Sequence, residues 1–212
     1  MAKTILVIGE SGSGKTTAMR NLDPATTIYI DADGKGLSWK GWRKQYQPRK
    51  NYLNSQDVKT VQAALGQAAK SKTTKTVVID TLNGIMLQHE MDTIHEKGYQ
   101  KWTDLVDGIF RLVVSANRID RDDLTIIFTG HAETITDDAG YTFTRLKTNG
   151  RKLEKIVLES KFNLVLLARG NQGKYILETQ ANNSTAKSPM GMFDELEIEN
   201  DITKVMKAME EY

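Results

Sequence analysis

Eight residues near the start of the chain, Gly9-Glu10-Ser11-Gly12-Ser13-Gly14-Lys15-Thr16, limit its fold more than any other feature. They match the phosphate-loop pattern GxxxxGK[ST] in full. The spacing has a physical cause. Glycines let successive backbone N–H groups turn inward toward phosphate oxygens, and a helix behind the loop adds the positive end of its dipole. The run Thr4 to Ile8 reads as a buried strand before the loop, and Lys15 to Asn21 as a short helix after it, ended by Asp23-Pro24. Gly9, Ser11, Gly12, Ser13, Gly14, Lys15, Thr16 and Thr17 are the candidate nucleotide-binding residues. In this pattern Lys15 reaches the β- and γ-phosphates and the Thr16 hydroxyl reaches Mg²⁺. ATP and Mg²⁺ are the expected ligands.

The rest of the chain alternates short β-branched runs with longer amphipathic ones. Thr27 to Ile30, Thr76 to Ile79 and Thr125 to Phe128 read as strands. Apolar or alanine positions at 58, 61, 64, 65, 68 and 69 predict a helix over 57–70. Helices are also expected over 82–96, 102–119 and 151–160, with a last one capped by Asn200-Asp201. Residues 34–50 carry three glycines and read as an irregular excursion. Residues 133–147 alternate around Asp137-Asp138-Ala139-Gly140 and read as a β-hairpin, and Asn171-Gln172-Gly173 marks a second. Continuous apolar strands separated by helices imply an α/β fold: a mainly parallel sheet with helices on both faces, plus hairpin extensions toward the C-terminal side. At 212 residues with no visible boundary, one domain over 1–212 is expected.

Three strand ends carry candidate chemistry. Asp80 closes the strand Thr76 to Ile79, where a phosphate-loop site needs a carboxylate for its magnesium shell. Capping of the next helix is a second, compatible role. Asp31 and Asp33 follow the strand Thr27 to Ile30. If that strand runs on, alternation puts both on one face, and Asp33 is placed to orient or deprotonate an attacking water. A plain Asp-Gly turn is the alternative. His131 follows the strand Thr125 to Phe128 and is a candidate contact to the γ-phosphate, or else a surface histidine. Lys15, Asp33, Asp80 and His131 form the candidate catalytic set, and Thr16 and Asp80 the candidate metal pair.

Composition excludes several classes. With no cysteine there is no disulfide scaffold, thiolate metal site or cysteine nucleophile. The longest apolar run is Leu164 to Ala168, far short of the ~18 residues that span a bilayer, and no leader is evident, so a soluble protein of the cytoplasm is expected. The net charge of +2 is unevenly spread. Ten basic residues and one acid lie between Lys35 and Lys75, whereas eight acids and three lysines lie between Ile176 and Tyr212. The basic stretch suits either nucleic acid or a solvated face.

Together, Ile30-Asp31-Ala32-Asp33, Thr76-Val77-Val78-Ile79-Asp80-Thr81 and Thr129-Gly130-His131 resemble the strand ends of RecA-type recombinases. There the first ends in a glutamate that activates water, the second is the Walker B strand, and the third carries a glutamine or histidine that senses the γ-phosphate. The chain order, and the segment Asn182 to Phe193 followed by an acidic stretch and a last helix, are similar to small phage ATPases of the Sak-type group, which act in single-strand annealing. This resemblance implies a RecA-like core, ATP hydrolysis, single-stranded DNA binding, homo-oligomers whose neighbours complete the nucleotide site, a single-strand-binding protein as candidate partner, and the host cytoplasm if the gene is a phage's. Asp33 is one methylene shorter than the family glutamate. The first strand starts near residue 4, so no recombinase-type N-terminal polymerisation arm is expected. By position, Arg145, Lys147, Arg151 and Lys152 in and after the hairpin, and Lys187 in the 181–192 loop, are the candidate DNA contacts. Tyr141 and Phe143, or Trp39, Trp42 and Tyr46, offer rings for base stacking. A small-molecule or nucleotide kinase and an ATP-switched assembly or packaging factor are the alternative readings.

Overall fold

The computed structural model describes residues 1–150, 153 and 155–212. Nine strands form one sheet in the order β3-β2-β4-β5-β1-β7-β8-β9, with β6 paired to β5. The strands are β1 (Lys3–Gly9), β2 (Thr27–Asp31), β3 (Tyr52–Asn54), β4 (Thr76–Asp80), β5 (Thr125–Thr136), β6 (Thr142–Leu146), β7 (Leu164–Asn171), β8 (Lys174–Glu178) and β9 (Glu197–Glu199). The pairs from β3 to β7 along this order are parallel, and β7-β8, β8-β9 and β5-β6 are antiparallel. The expected α/β fold with C-terminal hairpin extensions is therefore present. Among the described residues no helix is long and apolar enough to cross a membrane.

Strand alternation divides the core in two. Leu6, Ile8, Val77, Ile79, Ile126 and Phe128 face α2 (Val58–Lys70), α3 (Leu82–Asp92) and α4 (Gln100–Asn117). Ile5, Val7, Tyr29, Val78 and Ile127 face the other way. Among the described residues that second face is covered by α5 (Ile202–Glu211), a 3-10 turn at Thr17–Met19, the loop containing the four-residue α1 (Trp42–Gln45), and Met192 and Phe193. Bulky rings fill the gap: Trp39, Tyr29 and Tyr46 meet edge to face, Trp42 lies against Tyr52, and Arg43 stacks on Trp42. The aromatics of the basic stretch thus pack the sheet instead of standing out as a base-stacking platform.

Several expectations need correction. The helix over 15–21 is the three-residue 3-10 turn, because its far end is pinned early: Arg20 donates to the Asn200 carbonyl (2.5 Å) and Asn21 to the Asp201 carboxylate (2.6 Å). No long helix dipole therefore backs the phosphate loop. The strand beginning at Thr125 does not stop at Phe128. It continues through Gly130 to Thr136, since Gly130 leaves room for the Leu146 side chain of β6, which a Cβ there would meet at 2.3 Å. β2 ends at Asp31, so Asp33 belongs to a turn and does not share a strand face with Asp31. The three-residue strands β3 and β9 have no counterpart among the strands that the sequence predicts. Of the helix expected over 151–160, residues 151, 152 and 154 lie outside the described residues, and Leu158–Lys161 forms a 3-10 turn.

Candidate nucleotide site

The parallel strands deliver their C-terminal ends to one edge. Gly9 is level with His131 on β5 and Ala168 on β7, and Asp31 is level with Asp80 across β2 and β4. The phosphate loop leaves β1 at this edge. Gly12 (φ +78°) and Gly14 (φ +94°) take left-handed conformations that suit glycine. Gly9 is required for space: a Cβ there would meet the Ser13 hydroxyl at 2.4 Å and the Ala168 carbonyl at 2.7 Å.

Lys15 is buried, and its ammonium donates to the carbonyls of Gly9 and Glu10, each at 2.8 Å. Burial lowers its pKa to about 8, against the opposing pull of Asp80. The Thr16 hydroxyl donates to Asp80 at 2.8 Å, joining residues 64 apart in sequence. Asp80 also accepts from the hydroxyls of Tyr29 (2.7 Å) and Thr129 (2.5 Å). Burial and the Asp80 charge push the Tyr29 phenol well up, so it remains a donor. The cap of α3 falls to Thr81, whose hydroxyl accepts from the Gly84 amide, and Asp80 keeps its carboxylate toward Thr16. Ser13 has a buried hydroxyl with no partner among the described residues, Ser11 lies exposed beside it, and Thr17 hydrogen-bonds Ser38 at 3.0 Å.

Asp33 and His131 line one cleft of about 570 Å³ with Glu10, Ser11, Asn83 and Lys147. Asp33 accepts from Thr81 (2.8 Å) and pairs with Lys35 (2.5 Å). Half-burial works to raise its pKa, but the Lys35 and Thr81 hydrogen bonds outweigh burial and hold the carboxyl below its ordinary value. His131 is half-buried, and burial together with the Lys15 charge lowers its pKa, so the imidazole is neutral at pH 7. Asn83 fixes this region by accepting from the His131 amide (2.7 Å) and donating to the Lys147 carbonyl (2.9 Å). α3 starts flush against the Asp33 turn: a Cβ on Gly84 would meet the Ala32 carbonyl oxygen at 1.9 Å. Tyr29, Thr81, Asn83 and Thr129 escaped the sequence reading. Thr81 and Thr129 stand in the strand-end segments beside Asp80 and His131, and Asn83 lies three residues after Asp80, but nothing in sequence points from Tyr29 to the site.

The candidate DNA residues divide. Arg145 pairs with Glu133 across the hairpin at 2.9 Å. Lys147 is exposed at the rim of the cleft. Lys187 exchanges backbone hydrogen bonds with Val165. Arg151 and Lys152 lie outside the described residues. The hairpin and the 181–192 loop form one surface, since Thr144 bridges Ser184 and the Tyr141 hydroxyl donates to Asn183 at 3.0 Å. Tyr141 and Phe143 stack at 6.3 Å on that hairpin.

Magnesium favours a few hard oxygen ligands, completed by phosphate and water. One hydroxyl and one carboxylate beside a phosphate loop fit that preference. No cluster of three or more metal-ligating side chains occurs among the described residues, so phosphates and water would supply the remaining ligands. Comparison with curated proteins finds no match. A family model described as an AAA domain, AAA_24, matches residues 1–190. With most of its length covered, the chain belongs to that family and is a P-loop ATPase of AAA type.

Proposed function

We propose that the chain is an Mg²⁺-dependent ATPase, a RecA-like unit over 1–212, that acts on single-stranded DNA in phage-type recombination or annealing. The observation that carries the site assignment is the convergence of Lys15, Thr16 and Asp80 at one strand edge, with Asp33 and His131 on the adjoining cleft.

In this reading the Lys15 ammonium exchanges the carbonyls of Gly9 and Glu10 for β- and γ-phosphate oxygens, which also returns its pKa upward. Thr16 and Asp80 hold the magnesium, which offsets phosphate charge. Asp33 accepts a hydrogen bond from the attacking water, whose oxygen bonds the γ-phosphorus as the bond to the β–γ bridging oxygen breaks, the water's proton passing to an oxygen of the phosphate product. Products are ADP and inorganic phosphate. A carboxylate held below its ordinary pKa is a weak base, so Asp33 acts mainly by orienting water. The neutral His131, level with Gly9, contacts the γ-phosphate and changes partner when it leaves. Its amide and carbonyl bind Asn83 and Lys147, so the change would pass to the hairpin surface. Lys147 and Lys187 on that surface meet DNA phosphates, and Tyr141 and Phe143 stack with bases. Arg145 organises the hairpin through Glu133. A homo-oligomer, with a neighbour completing the site, and a single-strand-binding partner extend the same reading.

The size of the cleft beside Asp33 favours one further reading, a kinase whose acceptor occupies it. The test is steady-state ATP hydrolysis with Mg²⁺, with and without single-stranded DNA, beside Lys15→Ala. DNA-stimulated turnover that Lys15→Ala abolishes is expected. Turnover unaffected by Lys15→Ala overturns the site, DNA-independent turnover overturns the DNA coupling, and phosphate appearing on an added acceptor favours the kinase.

A further inference from the structure

On the opposite flank of the phosphate loop lies a group that the hydrolytic reading does not use. Asn200 is only 3% exposed, yet both atoms of its carboxamide lack a hydrogen-bond partner among the described residues. Burying a donor and an acceptor unpaired is costly, so such a pair needs an explanation. Capping does not supply one, because Asp201 caps α5 by accepting from the Thr203 amide. The Asn200 backbone is fixed behind the loop by Arg20, and the carboxamide lies against Gly14, where a Cβ would stand 3.2 Å from Nδ2 and 3.4 Å from Oδ1. Over the same glycine lies the ring of Tyr175, 3.0 Å from that position and close to Gly170 of β7. Tyr175 is 45% exposed, so its ring lies over Gly14 and is also open to solvent.

The sheet order gives this pair its place. β5 and β4, which carry His131 and Asp80, lie on one side of β1; β7 and β8, which carry Gly170 and Tyr175, lie on the other. A triphosphate whose terminal group meets Thr16, Asp80 and Asp33 sends its nucleoside the other way. Resting on the ATP reading above, we infer that Tyr175 and Asn200 form the nucleobase subsite and select adenine. The ring stacks on the base. The carboxamide, with one donor side and one acceptor side, pairs with the N6 amino group and N7 of adenine, the carbonyl accepting from N6 and the amide donating to N7. The corresponding edge of guanine presents two acceptors and satisfies only half of the carboxamide.

The experiment is titration calorimetry of the full chain with Mg²⁺ against ATP, GTP and inorganic tripolyphosphate, for wild type, Asn200→Ala, Tyr175→Ala and Tyr175→Phe. Wild type is expected to prefer ATP to GTP by about tenfold or more, the value of one good bidentate contact. Asn200→Ala should bring that ratio near one and leave tripolyphosphate affinity unchanged. Tyr175→Ala should weaken ATP and GTP alike, again sparing tripolyphosphate, and Tyr175→Phe should restore both. The exposed Tyr175 position keeps the test alive if Asn200→Ala does not fold. An unchanged ATP-to-GTP ratio in Asn200→Ala, or an equal loss of tripolyphosphate binding in the variants, overturns the subsite. Wild-type protein that binds none of the three overturns the ATP reading on which it rests.

Discussion

Asp31 and Asp80 occupy the same register on neighbouring parallel strands, both follow an apolar run, and both are buried. Their partners differ in kind. Asp31 accepts from the backbone amides of Asp33 (3.2 Å), Gly34 (2.8 Å) and Gly36 (2.7 Å) and from the Tyr52 hydroxyl (2.6 Å). Among the described residues the Asp80 carboxylate accepts only from hydroxyls, those of Thr16, Tyr29 and Thr129. Amide donors hold a chain turn in place and cannot be given up without unfolding it. A hydroxyl rotates, and its own oxygen can join the carboxylate on a cation. Two aspartates in near-identical sequence settings are thus divided into a structural group and a group free for chemistry.

Asp33 lies in the turn that the Asp31 carboxylate holds. Asp33→Asn is expected to lower turnover by about 10²–10³-fold while ATP affinity stays within about twofold, the signature of a group that acts on water alone. A matched loss of affinity in calorimetry would instead make Asp33 a binding residue. Asp31→Asn should act the other way round, lowering stability by about 2–3 kcal/mol through the loss of hydrogen bonds to a charged acceptor. For a chain of this length that is a drop in Tm of roughly 5–10 °C by calorimetry. An unchanged Tm would show that the turn holds without its carboxylate.

The two regions were not equally readable in the sequence. The phosphate loop and Asp80 were legible because a local pattern and a buried strand suffice to place them. The division of labour between Asp31 and Asp33 was not. It depends on where β2 stops, and strand ends are decided by what the turn can bond to, here the amides of Gly34 and Gly36. Tyr29 and Thr129 reach Asp80 only through sheet register. The 34–50 excursion looked like a basic-aromatic surface because sequence does not reveal that the second sheet face lacks a long helix and needs rings to cover it. The hairpin at 137–140 was readable from its Asp-Gly turn, whereas β9 is a three-residue edge strand whose one apolar residue, Ile198, stands between two glutamates and is too little to mark a strand.

The pH dependence separates the Lys15 side of the site from the acid side. The free Lys15 has a pKa lowered to about 8 by burial, and only its protonated form attracts phosphate. Below pH 8 the cation is present and ATP affinity should be flat; above pH 8 affinity should fall, approaching about tenfold per pH unit, as binding takes up one proton. Calorimetric titration from pH 6.5 to 9.5 checks this, and a flat profile would place the ammonium outside the binding step. The smallest effect belongs to the hairpin. Arg145→Ala removes a partly exposed pair with Glu133 and should cost no more than about 1 kcal/mol in thermal unfolding, with the unstimulated ATPase rate unchanged. A larger loss would mean that the hairpin supports the site itself.

In the proposed site the Thr16–Asp80 pair is where magnesium and the terminal phosphates meet, while its neighbour Asp31 is architecture. The most direct measurement is the Mg²⁺ concentration dependence of ATP hydrolysis for wild type, Asp80→Asn and Asp31→Asn below their melting temperatures. Asp80→Asn is expected to lose Mg²⁺-dependent turnover by about 100-fold or more, as an order of magnitude for removing a metal-holding carboxylate, and to need far more Mg²⁺ for what remains. Asp31→Asn should keep the wild-type Mg²⁺ dependence at a reduced rate. An Asp80→Asn variant with wild-type Mg²⁺ dependence, or an Asp31→Asn variant with a shifted one, would contradict this division of roles.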